Sequence, residues 1–286
     1  MKIGVDYYPE HWDRSLWTSD ADLMQETGVK LVRMGEFAWC RFEPVENEFH
    51  FEWLDEVMEI FAERGIDVVL CTPTNCPPLW LCEKYPDIIP TGRDGRKNDA
   101  YIRGHRCMNN PHFLEYAKRI IDEMTKHYAG NPAVVAWQID NELEANFCFC
   151  ENCADAFRGW LKEKYTTPAN MNKAHGNNVW SGEYSAWSQI RPPFGNNPHA
   201  WLNPAFMLDF NRYASDSTVK YLRMQTDIIR RNCPGTQITT NTWFCQNMPD
   251  FYKEFLGLDF VAYDNYPTTK ISEDTEECYS HSVHLD

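Results

Sequence analysis

The sequence predicts an α/β fold, a TIM (β/α)8 barrel of which only about six β/α units lie within the 286 residues. Three observations predict it. Short apolar runs alternate with amphipathic helical patterns, which is the rhythm of a parallel sheet. Polar and aromatic residues follow nearly every apolar run: Tyr7-Tyr8-Pro9-Glu10, Gly35-Glu36-Phe37, Thr72-Pro73-Thr74, Asp140-Asn141-Glu142, Asn241-Thr242-Trp243 and Asp264-Asn265-Tyr266. Residues of that kind at many strand ends fit a barrel, whose chemistry sits at the C-terminal face of the strands. No G-x-G-x-x-G follows the first run, which weakens the alternative of an open dinucleotide-binding sheet.

The elements follow in order. Lys2–Tyr7 reads as a strand and Asp13–Thr27 as a helix stopped by Gly28. Val29–Met34 is the second strand. Leu54, Val57, Met58 and Phe61 fall at i, i+3, i+4 and i+7, so Phe51–Arg64 is an amphipathic helix ending at Gly65. Ile66–Cys71 is the third strand. Asn110-Pro111 makes an N-cap and first-turn pair, and Leu114, Ala117, Ile121, Met124 and Tyr128 stripe one helix face before Gly130. Ala133–Ile139 is the fourth strand and Ala154–Tyr165 a helix with Phe157, Trp160 and Leu161 on one side. Thr166–Asn203 reads as a long irregular stretch; with Trp160 just before it, Trp180, Trp187 and Trp201 favour an ordered binding loop. Asn203-Pro204 opens a long helix to about Asn232. Gln237–Thr242 is the fifth strand, Pro249–Leu256 a short helix and Asp259–Tyr263 the sixth strand.

Composition bounds the function. A formal charge of −15 argues against nucleic acid, whose phosphates want a basic surface. The 11 Trp and 14 Tyr suit a sugar-binding cleft, although a large aromatic core uses the same residues. No apolar run approaches the roughly 20 residues of a membrane helix, and the N-terminus reads as a strand start rather than a leader, so a cytoplasmic protein without a membrane partner is expected. The 11 Cys then suggest reduced thiols or a metal site.

Two constellations carry chemistry. The apolar run Ala133–Trp137 leads through Gln138-Ile139-Asp140 into Asn141-Glu142, which sets an amide and a carboxylic acid at a strand tip. Barrel glycosidases keep their general acid in that position. Cys148-x-Cys150-x-x-Cys153 offers three soft ligands in six residues, enough for a tetrahedral Zn2+ once Cys107 joins from the neighbouring loop. Four thiolates leave no open position, so such a zinc is structural; free thiols and a disulfide are the alternatives. The remaining Cys are expected in the core or as bystanders.

With these residues placed, the chain resembles the catalytic barrel of glycoside hydrolase family 42, the β-galactosidases. The resemblance rests on Tyr7-Tyr8-Pro9-Glu10-His11-Trp12, Arg33-Met34-Gly35-Glu36-Phe37-Ala38-Trp39, Trp137 to Glu142, Asp264-Asn265-Tyr266-Pro267 and the four cysteines. It implies retaining hydrolysis of terminal β-D-galactosides or galactose-containing oligosaccharides, with Glu142 as acid/base and Asn141 donating to the sugar 2-OH. It also implies that Arg103 lines the same subsite, with Arg106 as its rival. Trp180, in Trp-Ser-x-x-Tyr-x-x-Trp, is then the family's aromatic and Tyr266 the tyrosine near the nucleophile. The full-length family member is expected to be a homotrimer.

The second carboxyl group is missing from this pattern. Glu10 and Glu36 lie at strand ends, and neither is expected to be the nucleophile, which the resemblance puts on a seventh strand. Glu273, Asp274, Glu276 and Glu277 follow no apolar strand. Residues 1–286 are therefore expected to be a catalytic barrel domain incomplete at its C-terminus, poorly soluble and inactive by itself. Other retaining glycosidases of the same barrel clan, or a non-catalytic sugar-binding scaffold, are the alternatives.

Overall fold

The computed structural model describes residues 2–100, 103–193, 203–243 and 247–264. Five parallel strands pair in chain order: β1 (Ile3–Asp6), β2 (Val29–Met34), β3 (Asp67–Cys71), β4 (Val134–Gln138) and β5 (Gln237–Thr239). A strand order that never reverses is that of a barrel wall; a doubly wound sheet reverses at a switch point. The wall continues through β6 (Asn241–Thr242), which pairs in parallel with β7 (Ala262–Tyr263). The fifth strand expected as one run is thus broken at Thr240, whose hydroxyl donates to the Ile139 carbonyl at 2.8 Å. β1 is exposed along its length, as are Phe260 and Val261 before β7.

The helices between the strands bury the faces that the periodicity predicts. They are α1 (Arg14–Glu26), α2 (Trp39–Phe42), α3 (Glu52–Glu63), α4 (Leu79–Lys84) and α5 (Pro111–His127). Asn110 caps α5 by accepting from Phe113 N–H, and Asp13 caps α1 by accepting from Ser15 N–H. Val32, Leu70, Trp137 and Ile238 from the strands pack with Leu54, Phe61, Ile121 and Met124 from the helices, all buried. The one-turn α2 and the six-residue α4 were not expected. Both are too short to show a period, and Pro77-Pro78 before α4 reads as a breaker.

The stretch expected to be irregular is instead the base of a second core. It holds α7 (Pro168–His175), which Thr167 caps by accepting from Asn170 N–H and Gly176 ends in the left-handed conformation. With α6 (Glu151–Tyr165) and the first half of α8 (Pro204–Asn232), it buries Phe157, Leu161, Met171, Phe206, Phe210 and Tyr213. Helix α6 starts three residues earlier than expected, which puts Cys150 at its N-cap and Cys153 one turn inside. The far half of α8 carries Tyr221, Leu222 and Ile229 into the barrel core, so one long helix ties the two cores together.

The short helix α9 (Phe251–Phe255) lies against α8, held by Lys253 Nζ on Asp216 and by Arg223 donating to the Lys253 carbonyl. Its Glu254 is fully buried, and neither carboxyl oxygen has a hydrogen-bond partner among the described residues. Burial pushes its pKa up to about 8. A carboxyl raised on folding costs nothing below its unfolded pKa. The cost then grows as pH rises from about 4.5 to 8. Glu254→Gln is therefore expected to leave the melting temperature unchanged near pH 4.5. At pH 8 it should raise it by about 10 °C, from a gain of order 4 kcal/mol. Melting curves across that range check it, and a pH-independent difference would contradict it.

Candidate active site

Beyond β4 the backbone turns sharply. Asp140 and Glu142 both have positive φ, 52° and 45°, a conformation that non-glycine residues adopt at a cost. The turn buries one carboxylate and presents the other. Asp140 is fully buried and accepts from Thr74 Oγ1 (2.8 Å), Asn75 Nδ2 (2.9 Å), Tyr221 OH (2.9 Å) and, in a two-pronged pair, from Arg106 (2.7 and 3.2 Å). These donors come from the β3 loop, α8 and the loop before α5, so Asp140 fixes the tip from several sides.

Glu142 keeps 11% of its side chain exposed, facing open space rather than core. Its Oε2 accepts from Arg103 Nη2 at 3.3 Å and from Asn141 Nδ2 at 3.2 Å, and its N–H donates to Asn241 Oδ1 at 3.0 Å. Asn241 on β6 is the hub that sequence reasoning missed. Its amide donates to Asn141 Oδ1 (3.1 Å) and to Asp264 Oδ2 (2.7 Å), which joins the tips of three barrel strands. Asp264 is pushed up to about 6 by burial and by its hydrogen bond with the Glu142 carboxyl.

Two cavities meet at Glu142, of about 320 and 360 Å³. Both are at the small end of the range of roughly 300–1,000 Å³ for small-molecule sites. Arg103, Asn141 and Glu142 line both. The first also has Asp6, Tyr8 and Arg33, where Arg33 holds Asp6 and donates to Gln138 Oε1 at 3.1 Å. Glu36 is fully buried under Tyr8 and Arg33. Glu10 has a buried oxygen without a hydrogen-bond partner among the described residues and is raised by burial. Neither lines either cavity.

The structure separates the two arginines that the sequence left open. Arg106 is buried against Asp140, whereas Arg103 reaches Glu142 and lies over the Phe37 ring at 5.7 Å. Trp180 is not brought to the site. It is 79% exposed and lines neither cavity. Tyr266, Trp201, Glu273, Asp274, Glu276 and Glu277 lie outside the described residues.

The four cysteines do converge. The sulfurs of Cys107, Cys148, Cys150 and Cys153 lie within 4.8 Å of one another, and Cys107 is 3.6 Å from Cys150 and 3.4 Å from Cys153. A disulfide needs about 2.05 Å. Four thiolates about 2.3 Å from a tetrahedral ion stand roughly 3.8 Å apart, close to what is seen. N–H donors surround the cluster: Asn109 Nδ2 on Cys153 (3.4 Å), Asn146 Nδ2 on Cys153 (3.8 Å) and Thr91 N–H on Cys148 (3.5 Å). The cluster can hold a metal ion, and the donors suit sulfurs that carry negative charge.

An unreversed parallel wall with an amide and a carboxyl at the tip of its fourth strand is the arrangement of the glycosidase barrels. A model of glycoside hydrolase family 42, described as β-galactosidase, matches residues 6–286. The β-galactosidase BgaA of Clostridium cellulovorans is 59% identical over 286 residues, all of this chain and 43% of that protein. The solved β-galactosidase from the psychrophilic Marinomonas ef1 superposes with a TM-score of 0.90 at 37% identity, over 96% of this chain and 43% of its own. That of the Antarctic haloarchaeon Halorubrum lacusprofundi does so with 0.90 at 38%, over 96% and 42%. The chain belongs to glycoside hydrolase family 42. It spans less than half the length of these relatives, and no described helix is long and apolar enough to cross a membrane.

Proposed function

We propose that this chain supplies the acid/base half of a retaining β-galactosidase. The observation that carries the reading is Glu142 itself, a carboxyl held by Arg103 and Asn141 on the shared wall of two cavities. Its relatives bear the name β-galactosidase. In this reading Glu142 protonates the glycosidic oxygen as the bond breaks and later takes a proton from water. Asn141 spends one amide hydrogen on Glu142 and its carbonyl on Asn241, which leaves a second hydrogen for the sugar 2-OH. Arg103 lines the galactosyl side, and Tyr266 is proposed to stand near the nucleophile. That nucleophile is a carboxylate from a seventh strand, which proteins of the relatives' length have room to carry.

The test is stereochemical. The full-length protein acting on p-nitrophenyl β-galactoside, followed by proton NMR, is expected to release β-galactose first. First appearance of the α-anomer would exclude a retaining mechanism.

The cysteine cluster is proposed to hold a structural Zn2+. A zinc there supplies cross-linking between the loop before α5, the β4 loop and the start of α6, and no step of the chemistry. Metal analysis of the folded protein is expected to give about one zinc per chain, and chelation should lower its melting temperature. A well-folded sample with none would refute the assignment.

A further inference from the structure

Glu142 shares the wall of the larger cavity with a second carboxyl. Glu144, two residues further along the chain, is partly buried and lines the same space. The backbone that carries it is clamped. The Glu144 carbonyl accepts from Thr218 Oγ1 of α8 at 2.8 Å. Ala145 N–H donates to the Asn247 carbonyl at 2.8 Å, and Asn146 N–H to the Ala214 carbonyl at 3.1 Å. Glu144 is therefore fixed on this wall. Among the described residues its carboxyl makes no ion pair: Arg106 is taken up by Asp140, and Arg103 reaches Glu142. Burial raises its pKa, the Glu142 charge raises it further, and Arg106 opposes both.

The interaction between two charges is mutual, so a charged Glu144 opposes the ionisation of Glu142 in turn, and the two titrate as a pair. The other charged groups around Glu142 leave little to offset this. Arg33 is matched by Asp6 and Glu36, and Tyr8 by its bond to Glu36. Cys148 turns its sulfur toward the cysteine cluster. That leaves Arg103, which favours the Glu142 carboxylate, against Asp264 and Glu144, which oppose it. In the retaining reading a nucleophile carboxylate also stands roughly 5–5.5 Å from Glu142. It acts most on the group it faces, so Glu142 is the last to give up its proton and Glu144 is already charged when it does. We propose that Glu144 is a positioning residue for the acid step, a fixed charge on the cavity wall that keeps the proton on Glu142 at neutral pH. It touches no reacting atom. This deepens the β-galactosidase reading and rests on it.

The test is the pH profile of kcat/KM in the full-length protein, on lactose and on a dinitrophenyl β-galactoside. This ratio reports the free enzyme's essential acid, whose loss is the alkaline limb. Dinitrophenolate leaves without a proton, so the second substrate is a reference that does not need the acid. Glu144→Gln, neutral and of the same shape, is expected to move the lactose limb down by about one pH unit. Above the limb, kcat/KM on lactose relative to the dinitrophenyl substrate then falls about tenfold. Glu144→Asp, which keeps the charge, should hold the limb within about 0.3 of a pH unit, and Glu144→Lys should move it further down than Gln does. A lactose limb that stays in place in the Gln variant would overturn the proposal. So would a parallel loss on both substrates at every pH, which would make Glu144 merely structural. A parent that turns over neither substrate would overturn the β-galactosidase reading, and the role of Glu144 with it.

Discussion

Glu142→Ala in the full-length protein is expected to lower turnover of lactose by about 10³, within the usual range of 10²–10⁴ for a positioned general acid. On a dinitrophenyl β-galactoside the first, bond-breaking step should fall far less, because that leaving group departs without a proton. The split follows from position. Glu142 is held by Arg103 and Asn141 at the boundary of two cavities, and its backbone is fixed by Asn241 rather than by its own carboxyl. Truncating the side chain therefore removes a proton donor and leaves the tip of β4 in place. Equal losses on both substrates, measured under single-turnover conditions, would mean that Glu142 does something other than protonate the leaving group.

The second large effect lies one turn of chain away. Asp140→Ala is expected to destabilise the full-length protein by about 3–5 kcal/mol, because it strands the buried Arg106 guanidinium without its carboxylate. It also takes away the acceptor of Tyr221, leaves Thr74 with only Gln225 Oε1 at 3.4 Å and Asn75 with only the Asn141 carbonyl, and asks alanine to hold a φ of 52°. A fall of about 10 °C in melting temperature corresponds to this loss. Asp140→Asn should recover part of it, since Asn tolerates that conformation and keeps an acceptor oxygen. A melting temperature within 2 °C or so of the parent would contradict this account of the tip.

The parts of the site made from one stretch of chain were legible in the sequence. An apolar run that ends in Asn141-Glu142 announces a strand tip carrying an acid. Cys148, Cys150 and Cys153 crowd six residues, and only the fourth ligand, Cys107, had to come from elsewhere. What joins distant stretches was not legible. Nothing local marks Asn241 as the group that bridges Asn141, Glu142 and Asp264. Arg103 and Arg106 have the same chemistry three residues apart. The turn at Gly104, with φ 78°, lies between them, and one ends at the acid and the other under it. Trp180 sits in a motif rich in aromatic residues, yet that segment belongs to the second core, not the cavity wall. The caps at Thr167 and Gly176 were readable signals for α7, outweighed by the Asn, Pro and Gly around them.

The central claim, that Glu142 is the acid/base and not the nucleophile, is tested most directly by azide. In Glu142→Ala a dinitrophenyl galactoside still loads the true nucleophile, and the vacated side admits azide on the face the leaving group left. The predicted product is β-galactosyl azide, with a rise in turnover as azide is added. α-Galactosyl azide would show that Glu142 had been the nucleophile, and absence of any rescue would show that it was not catalytic in this way.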